Sequence, residues 1–437
     1  MKNLLKKLVP NFIFSIYHWK LAYLGAMIYG FPSRKLIVIG VTGTKGKTTT
    51  CNLIAQILNG AGYKTGMATT VNFRIGEKEW INEYKQTMLG RFRLQKLLRQ
   101  MVREGCKYAV IETSSEGILQ HRHRGINYSV AVFTNLSPEH IERHGSFENY
   151  RAAKLKLCEA VAKKREGIGI YNLDDANVDY FLKCNILNKF GYGTHNKYQL
   201  ASFNKISEIK LFPDHTEFSV NGEKFQMPLI GEFNVYNATA AICVVQSQGI
   251  RIEKIKEILK HTKPTPGRLE IVNIGQSFTV IVDYAHEPAS LEAVYKFLIE
   301  MKKFTPSVVE GPKRIIALLG AQGGGRDKGK RPELGRIAGE FADIIIVTNE
   351  DPYDESPQQI IDDVKQGITP RLRSGQNLFE ILDRREAIKK ALSLAEPGDI
   401  VILTGKGGEV WMCVENGKKI PWNEREIIEE ELRRAVF

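Results

Sequence analysis

The stretch Ile37-Val38-Ile39-Gly40-Val41-Thr42-Gly43-Thr44-Lys45-Gly46-Lys47-Thr48-Thr49-Thr50 decides the fold of this chain. An apolar, β-branched run enters a glycine-rich turn, and a segment with helical periodicity follows at once. A strand, a turn and a helix in this order can cradle a phosphate, because the backbone N–H groups of the turn and the positive end of the helix dipole both attract an anion. The usual pattern of such loops fails at one position, where Val41 replaces the first glycine. The alternative is an ordinary strand-to-helix turn.

The residues of this loop have separate predicted roles. Gly43 and Gly46 let the backbone turn toward a phosphate, and Lys47 reaches the outer phosphates. The Thr48 hydroxyl is the predicted ligand of Mg²⁺. The full set of predicted nucleotide-binding residues in the loop is Gly43, Thr44, Lys45, Gly46, Lys47, Thr48 and Thr49.

Length, composition and charge narrow the class of protein. A chain of 437 residues, with 43% hydrophobic and 25% charged residues, can fold into two or three domains and is neither disordered nor fibrous. Six scattered cysteines form no C-x-x-C pair, so zinc and disulfide frameworks lack support and a reducing cytoplasm is expected. The formal net charge of +13 favours anionic partners such as nucleotides, sugar diphosphates or anionic lipid. We expect no nucleic acid as a partner, because no basic stripe with interleaved aromatic residues appears.

Residues 1–34 form a short apolar and basic segment. Three lysines precede a run rich in aromatic and aliphatic residues, which Pro10, His18 and Lys20 interrupt. A membrane-spanning helix needs about 20 residues with few charges, so this segment is a poor span. No small-residue cleavage site follows, which disfavours a signal peptide. Two alternatives remain: a helix docked on the protein's own body, or a basic, aromatic helix in peripheral contact with a membrane through residues 1–30.

The rest of the chain predicts an α/β fold with two units. Residues 35–263 are predicted to form a P-loop-type central domain with a mostly parallel sheet and a β-rich insertion near 198–233. Two prolines and a glycine within 261–267 interrupt any regular element and indicate a boundary. Residues 264–437 alternate strand and helix patterns again, which predicts a C-terminal Rossmann-like α/β domain.

One predicted strand carries a carboxylate toward the ligand crevice. The apolar run 108–112 is predicted to be a buried strand, and Glu112 ends it. The carboxyl ends of strands face the ligand in an open α/β sheet, so Glu112 is a candidate to hold Mg²⁺ or a water. The alternative is a surface carboxylate at a strand end. Other predicted elements are strands at 67–71 and 130–134 and a helix at 237–248.

Further motifs resemble the Mur ligase superfamily of ATP-dependent amide-bond-forming enzymes, from about Lys35 to the C-terminus. In the family's order they are Glu112-Thr113-Ser114-Ser115, Phe133-Thr134-Asn135-Leu136-Ser137, His144-Gly145, Tyr150-Arg151-Ala152-Ala153-Lys154, Phe233-Asn234 with Asn237, and Gly267-Arg268-Leu269-Glu270. Three later motifs are similar to the MurE branch, which adds the third amino acid to UDP-N-acetylmuramoyl-L-alanyl-D-glutamate. They are Asp283-Tyr284-Ala285-His286, Gly325-Arg326-Asp327-Lys328-Gly329-Lys330-Arg331-Pro332 and Gly405-Lys406-Gly407-Gly408-Glu409.

The resemblance implies a reaction, its cofactors and its substrates. The γ-phosphoryl group of ATP passes to an acceptor carboxylate, an amine attacks the resulting acyl phosphate, and phosphate and ADP are released. The implied cofactors are ATP and Mg²⁺. The implied substrates are UDP-muramoyl dipeptide and a free amino acid, a diamino acid, in peptidoglycan synthesis.

The resemblance also implies roles for individual residues. The implied catalytic residues are Lys47, Glu112, His140 and Lys154. Lys154 matches a lysine that CO₂ carbamylates in the family, and the alternative is an unmodified lysine that pairs with phosphate. The implied ligands of Mg²⁺ are Thr48, Glu112 and His140. The implied further nucleotide-binding residues are Asn237, Arg268 and Asp283. The implied dipeptide-binding residues are Thr87, Ser114, Gln120 and Arg122. The implied amino-acid-binding residues are Arg326, Asp351, Tyr353, Gly405 and Glu409. Arg326 would take the α-carboxylate of the amino acid, and Glu409 a distal ammonium.

The chain also departs from the family's pattern. We expect the family's N-terminal domain that grips UDP to be absent, and Lys45, Glu116 and Glu139 stand where Asn, His and Asp are usual. Tyr353 stands where diaminopimelate enzymes have Arg, so bidentate capture of a distal carboxylate is lost. Two alternatives to the MurE reaction therefore remain open. One is a Mur-type ligase acting on a lipid-linked muropeptide or a folylpolyglutamate-like acceptor, and the other is a P-loop nucleotide-binding switch subunit.

Overall fold

The computed structural model describes residues 11–84, 86–138, 144–212, 214–304, 313–368, 372 and 375–436. The chain divides into two compact units. The N-terminal unit comprises Met1–Lys210 together with Thr216–Lys263. The C-terminal unit comprises Pro264–Phe437 together with Leu211–His215.

One large sheet, flanked by helices, forms the N-terminal unit. Its strands are β1 (Ile37–Thr42), β2 (Thr65–Ala68), β3 (Asn72–Ile75), β4 (Lys78–Ile81), β5 (Tyr108–Glu112), β6 (Tyr128–Phe133), β7 (Ile168–Asn172), β8 (Asn188–Gly193), β9 (Ser202–Leu211), β10 (Thr216–Val220) and β11 (Glu223–Met227). Its helices are α1 (Asn11–Ile28), α2 (Lys47–Gly60), α3 (Arg91–Arg103), α4 (Ser115–Leu119), α5 (Phe147–Val161), α6 (Val178–Leu182), α7 (Glu232–Ser247) and α8 (Ile252–Leu259). Within the described residues the strand order is β11-β10-β9-β8-β7-β6-β1-β5-β2-β3-β4.

The glycine-rich loop follows a strand in the middle of this sheet. β1 pairs in parallel with β5 on one side and with β6 on the other. The carboxyl ends of these strands therefore lie at one edge of the sheet, where open α/β sheets bind their ligands. Antiparallel hairpins extend the sheet at both ends, β3–β4 at one and β10–β11 at the other.

Apolar side chains cover both faces of the sheet. In β1, Val38 belongs to one core cluster, whereas Ile39 and Val41 belong to the other, and all three are fully buried. Successive residues of a strand point to opposite faces, so a strand covered on both faces needs a continuous apolar run. The cluster with Ile39 includes residues of α2 and α7, and the cluster with Val38 includes residues of α3 and α5.

A smaller, mostly parallel sheet forms the C-terminal unit. Its strands are β12 (Glu270–Val272), β13 (Thr279–Val282), β14 (Ile315–Leu319), β15 (Ile344–Thr348), β16 (Asn377–Ile381), β17 (Ile400–Leu403), β18 (Trp411–Cys413) and β19 (Lys419–Pro421). Its helices are α9 (Pro288–Phe304), α10 (Lys330–Phe341), α11 (Pro357–Ile368), α12 (Arg384–Leu394) and α13 (Glu424–Val436). The main sheet has the order β12-β13-β17-β14-β15-β16, in which only the edge strand β12 is antiparallel to its neighbour among the pairings of the described residues.

The predicted α/β class, with mostly parallel sheets in both units, is confirmed. Three predicted element bounds were wrong. The strand predicted at 130–134 extends from Tyr128 to Phe133. The strand predicted at 67–71 ends at Ala68, because the Thr69 hydroxyl accepts from the Asn72 amide at 3.0 Å and turns the chain into β3. The helix predicted at 237–248 begins earlier, at Glu232. β7 and β8 were not predicted from the sequence, because their glycines weaken the strand pattern.

The first described helix, α1, packs on the N-terminal unit. Ala22 and Ala26 are buried in this contact. An added Cβ on Gly125, in the loop before β6, would lie 2.9 Å from the Cβ of Ala26, so helix and loop approach closely. Across the described residues, no helix has the length and apolar character needed to cross a membrane.

Candidate active site

The glycine-rich loop leaves no room for side chains at two positions. Gly43 has a φ of 153° and Gly46 a φ of 80°. An added Cβ on Gly43 would lie 1.9 Å from Thr134 Oγ1, and one on Gly46 would lie 2.2 Å from Asn237 Oδ1. Both distances are far below van der Waals contact, so glycine is required at both positions.

Two lysines converge on this loop. Lys47 Nζ donates to the carbonyl oxygens of Gly43 at 3.0 Å and Thr44 at 2.8 Å. Lys154, which α5 contributes, is 1% exposed and donates to the same Gly43 oxygen at 2.5 Å. Its ammonium also lies 4.4 Å from the centre of the Tyr150 ring. Two cations at one point of a phosphate-type loop can stabilise a polyanion such as a triphosphate.

A buried carboxylate lies beside the start of α2. Thr48 Oγ1 donates to Glu112 Oε2 at 2.9 Å, and the Thr70 amide donates to the same oxygen at 2.8 Å. Thr70 Oγ1 in turn donates to Thr87 Oγ1 at 3.0 Å. Glu112 is 2% exposed. The predicted Thr48, Glu112 and Thr87 are thus linked through Thr70, which the sequence analysis did not single out.

This donor set fits Mg²⁺ bound jointly with a nucleotide. Among the residues that the structure describes, no group of three or more His, Cys, Asp or Glu side chains could hold a metal ion. Mg²⁺ commonly takes only one or two protein ligands and completes its shell with phosphate oxygens and waters. Thr48 and Glu112 could supply those two ligands. The third predicted ligand, His140, lies outside the described residues.

The chain after β6 holds the loop from the other side. The Lys45 amide donates to Asn135 Oδ1 at 2.8 Å, and Thr134 Oγ1 donates to the Lys45 carbonyl at 2.8 Å. Thr44 Oγ1 lies 3.0 Å from the Tyr150 hydroxyl. The sequence motifs include Thr134, Asn135 and Tyr150 without a role for them. Thr134 and Asn135 follow a central strand and Tyr150 lies on a packed helix, and these positions could have indicated that they hold the glycine-rich loop.

Two more predicted nucleotide-binding residues are Thr49, in the first turn of α2, and Asn237, beside that turn. Thr49 is buried in that turn. Asn237 on α7 accepts from Thr50 Oγ1 at 3.4 Å and donates to Asn234 Oδ1 at 2.9 Å. The amide of Asn237 is therefore fixed in orientation beside Gly46.

The four residues predicted to bind the dipeptide are only partly brought together. Gln120 Oε1 accepts from Arg122 Nε at 3.1 Å and from Arg122 Nη2 at 2.7 Å. Arg122 also donates to the Met88 carbonyl, and burial lowers the pKa of its guanidinium. Ser114 instead caps α4 by accepting from the Gly117 amide at 3.1 Å. Thr87 belongs to the Glu112 group described above.

In the C-terminal unit, four neighbouring parallel strands end at one edge. β13, β17, β14 and β15 are adjacent in the sheet. The predicted residues Asp283, Gly405 and Asp351 each follow one of these strands within three residues. Their common position is the edge at which such sheets bind ligands.

Asp283 organises the chain that enters this unit. Its carboxylate accepts from the Leu269 and Ala285 amides, both at 2.8 Å. Burial raises the pKa of Asp283, and the Arg268 guanidinium opposes that shift. Arg268 also lies over the Tyr284 ring, 4.5 Å from its centre. The two predicted residues, Arg268 and Asp283, are thus at the carboxyl end of β13.

Lys406 ties two predicted amino-acid-binding residues together. Its ammonium, 0% exposed, donates to Asp351 Oδ1 at 2.9 Å and to Glu409 Oε2 at 2.7 Å. It also donates to the Trp411 carbonyl at 2.6 Å. The Tyr284 hydroxyl donates to Glu409 Oε1 at 3.4 Å. Asp351 and Glu409 therefore form a fixed acidic group around one buried cation.

Glu350 is a third carboxylate at this point, and it was not among the site residues predicted from the sequence. It is 0% exposed, and neither of its oxygens accepts a hydrogen bond of good geometry from the described residues, although a weaker interaction with the Gln322 side chain helps to lower its pKa. Burial and the neighbouring Asp351 raise its pKa against the opposing Arg384 and Lys406 cations. Glu350 follows the end of β15 by two residues, and the same strand-end signal that singled out Glu112 could have identified it.

Glycine is again required next to this carboxylate. Gly405 has a φ of 100°, and an added Cβ would lie 2.3 Å from Glu350 Oε2. Tyr353 adopts a φ of 54° and donates from its amide to the Cys413 carbonyl at 3.1 Å. Desolvation lowers the pKa of Arg326, but the nearby Tyr353 and Tyr284 hydroxyls outweigh it and leave that pKa raised. Hydrogen bonds, charge interactions and close approach thus link the five predicted amino-acid-binding residues to one another or to Glu350.

Two family models match this chain. The Mur ligase middle domain matches residues 41–245, and the Mur ligase glutamate ligase domain matches residues 267–407. A UDP-N-acetylmuramyl-tripeptide synthetase from Roseiflexus sp. (strain RS-1) is 36% identical over 433 residues, which cover 95% of this chain and 81% of the relative. A UDP-N-acetylmuramoyl-L-alanyl-D-glutamate--2,6-diaminopimelate ligase from Geobacillus kaustophilus is 34% identical over 418 residues, covering 93% of this chain and 81% of that ligase.

Solved structures show the same fold. A UDP-N-acetylmuramoyl-L-alanyl-D-glutamate--2,6-diaminopimelate ligase superimposes with a TM-score of 0.63 at 29% identity, over 92% of this chain and 79% of the other. A folylpolyglutamate synthase from Mycobacterium tuberculosis superimposes with a TM-score of 0.66 at 16% identity, over 89% of this chain and 92% of the other. At that identity the second match concerns the fold alone.

Proposed function

The chain belongs to the Mur ligase family, and from that membership we propose that it joins the third amino acid to UDP-N-acetylmuramoyl-L-alanyl-D-glutamate in peptidoglycan synthesis. Family members are ATP-dependent ligases, and relatives named for this reaction are 34% and 36% identical to this chain. The match extends over both units, which disfavours a nucleotide switch without ligase activity. The folylpolyglutamate alternative has only a fold-level likeness.

The chemistry explains why two lysines and a buried carboxylate lie at one loop. A carboxylate is a poor electrophile, so the ligase first converts it to an acyl phosphate with the γ-phosphoryl group of ATP. The amine of the amino acid then attacks the acyl carbon, the C–O bond to phosphate breaks, and the nitrogen loses a proton. Bringing a carboxylate to a triphosphate crowds anions together, and Lys47 and Mg²⁺ would offset that repulsion.

Mg²⁺ is part of this proposal. Thr48 and Glu112 would hold it, because a hydroxyl and a carboxylate already face each other at the start of α2. When bound, the ion would neutralise charge that develops on the transferred phosphoryl group. The chain's own contribution is the orientation of Glu112, which the Thr70 amide fixes.

We propose that Lys154 reacts with CO₂ to form a carbamate. The Lys154 ammonium first gives up a proton, and the neutral amine then attacks the carbon of CO₂ and loses a second proton. A buried cation thereby becomes an anion. Two observations support this. Lys154 is 1% exposed, and the Lys47 ammonium shares its carbonyl acceptor on Gly43. Two like charges at one acceptor disfavour each other, and conversion of one to an anion removes the repulsion.

The acceptor and the amino acid would bind to different groups of residues. For the muramoyl dipeptide, the supporting pair is Gln120 with the partly buried Arg122. For the amino acid, Arg326 would take the α-carboxylate, and the carboxylates of Glu409 and Glu350 would receive a distal ammonium. A diamino acid such as lysine or ornithine satisfies this arrangement, and Tyr353 offers no cation for a distal carboxylate.

We place this reaction in the cytoplasm. All six cysteines are free and buried, which suits a reducing compartment. The substrate proposed here is a nucleotide-linked precursor, and ATP is its co-substrate.

The observation that carries the proposal is the Thr48–Glu112 pair beside two converging lysines. The test is ADP release by the full chain with ATP, UDP-muramoyl dipeptide and a panel of amino acids. We expect release to need the dipeptide and to be fastest with a diamino acid. Dipeptide labelled with ¹⁸O in its carboxylate should pass one labelled oxygen to the released phosphate. ADP release that ignores both substrates, or phosphate without label, would contradict the proposal.

A further inference from the structure

The outward side of α1 is apolar and aromatic. Seven side chains on it are between 40% and 60% exposed, and together they are called the outer face of α1: Ile16, Tyr17, Trp19, Tyr23, Leu24, Met27 and Ile28. At about 3.6 residues per turn these positions lie on one half of the helix circumference. Single exposed apolar residues are ordinary on a protein surface, but a contiguous helix face of them marks an interaction site.

This face is held outward by the opposite side of the helix. Ala22 and Ala26 are buried against the N-terminal unit. Gly25 faces α3, where an added Cβ would be in ordinary van der Waals contact, 3.5 Å from the Arg91 carbonyl oxygen. Beyond the helix, Ser33 Oγ accepts from the Asn127 amide at 3.1 Å. Ala22, Gly25 and Ala26 let the helix pack closely on the unit. A rotation of α1 that turned its apolar face inward would break these contacts.

The surroundings of this face are strongly basic. The first 35 residues contain six lysines and arginines and no Asp or Glu, so they contribute +6 of the formal net charge of +13. Lys20 is exposed in the middle of the outer face, and Arg34 and Lys35 are exposed just beyond its end. Arg93 and Lys96 are exposed on the neighbouring α3. The partner of this surface should therefore be anionic as well as apolar.

We propose that the outer face of α1 docks on an anionic lipid bilayer, with the helix lying along the surface. Trp19 and Tyr23, whose ring centres are 4.9 Å apart, are the residue types that concentrate at the bilayer interface. Lysine can bury its aliphatic stem among apolar groups while its ammonium reaches phosphate head groups, so Lys20 fits the centre of a membrane-docked face. The core of a protein–protein interface, in contrast, is depleted of lysine.

The proposed membrane surface adjoins the residues assigned to the acceptor. Arg91, at the start of α3, donates to the Gln120 carbonyl at 2.5 Å, and Gly125 contacts Ala26 of α1. Docking would therefore hold the loop that carries Gln120 and Arg122 near the bilayer. Binding to lipid is nevertheless independent of ligation, so the two proposals can fail separately.

The test is co-sedimentation of the full chain with vesicles of phosphatidylcholine alone or mixed with phosphatidylglycerol. We expect binding to the mixed vesicles that weakens as salt increases, and at least tenfold weaker binding to phosphatidylcholine alone. Replacement of Trp19, Tyr23 and Met27 by Ser should lower the binding constant by at least tenfold. Each of Lys20→Gln, Arg34→Gln and Lys35→Gln should lower it by about fivefold.

Matched controls separate the docking from general stickiness and from misfolding. Leu187→Ser removes an apolar side chain that is 71% exposed elsewhere on the same unit, and Lys183→Gln removes an exposed charge there. Both should bind vesicles like the unaltered chain. All variants should keep their melting temperature and their ADP release in solution. Absence of binding to the mixed vesicles, or equal binding by the outer-face and control variants, would overturn the proposal. Self-association that the outer-face variants abolish would also overturn it, because a second copy would then cover the face.

Discussion

Thr48 Oγ1 donates a 2.9 Å hydrogen bond to Glu112 Oε2, joining the first turn of α2 to the end of β5. These residues are separated by 64 positions in the chain, and they meet because β1 and β5 are parallel neighbours. Glu112 also accepts from the Thr70 amide, so one carboxylate oxygen already has two donors. Because its side chain is already held in place, Glu112 would lose little conformational freedom on binding a metal ion.

Glu112→Gln should nearly abolish ligation. The amide keeps the size of the side chain but removes the negative charge proposed to hold Mg²⁺. We expect kcat to fall by about 100-fold or more, with a higher Mg²⁺ concentration needed for half-maximal activity. The control is Glu77→Gln at an exposed position, which should leave both quantities unchanged. An unaltered Mg²⁺ requirement in Glu112→Gln would contradict the metal role.

Gly46→Ala should weaken ATP binding more than its cost in stability explains. The new Cβ would meet Asn237 Oδ1 at 2.2 Å and push it from its place beside the loop. Gly62→Ala is a matched control, because Gly62 has a similar positive φ and nothing within 4 Å of an added Cβ. Each variant should lose about 1–2 kcal/mol from left-handed strain. Calorimetric titration with ATP should show at least a tenfold loss only for Gly46→Ala.

Lys154 should make activity depend on CO₂. If its carbamate is required, removal of CO₂ and bicarbonate from the assay should lower ADP release, and their return should restore it. Lys154→Ala should be inactive but regain part of its activity with a short carboxylate such as acetate. Lys163→Ala, at an exposed position in the same region, should respond to neither treatment. Full activity of the unaltered chain without CO₂ would rule the carbamate out and leave an unmodified lysine.

Glu350→Gln should change stability and amino-acid binding in opposite directions. Burial and Asp351 raise the pKa of Glu350, so the folded state holds its proton more tightly than the unfolded state. The stabilisation from this proton is complete below the ordinary glutamate pKa of about 4.3 and is lost as pH rises through the raised pKa. At pH above that range the Gln variant should therefore be more stable, by about 1 kcal/mol, in urea unfolding.

The same variant should bind the diamino acid less well, because the carboxylate proposed to face the distal ammonium is gone. The comparison is Asp351→Asn, which should instead destabilise the protein by about 3 kcal/mol, because it leaves the buried Lys406 with one charged partner fewer. Equal KM values for lysine or ornithine in Glu350→Gln and the unaltered chain would contradict a role for Glu350 in binding the amino acid.

Tyr353→Arg should shift the preferred amino acid toward diaminopimelate. A guanidinium can take the distal carboxylate with two parallel hydrogen bonds, so kcat/KM for meso-diaminopimelate should rise by about tenfold or more. The backbone strain is unchanged, since both residues would share the φ of 54°. Tyr353→Lys is the control, because a point charge lacks the fork and should produce a smaller gain. A gain equal to that of Arg would indicate attraction without geometric selection.

Several features of the molecule were determined by the sequence alone, because they depend on neighbours along the chain. The run from Ile37 to Thr50 predicts strand, turn and helix, and the structure has β1, the loop and α2 in that order. The apolar run ending in Glu112 likewise predicted β5 and its carboxylate. Local periodicity and turn chemistry act over a few residues, so they can be read without knowing what packs against them.

Tertiary structure alone decided which distant groups meet. Lys154 and Lys47 share the Gly43 carbonyl because α5 packs beside β1, and no local pattern specifies that approach. The position of Glu350 after a strand is visible in the sequence, but its complete burial against Gly405 is visible only in the structure. The outer face of α1 follows the same rule, since the sequence predicted an apolar helix but not which half would be buried. Long-range contacts arise from packing over the whole sheet, and that information is spread across the chain.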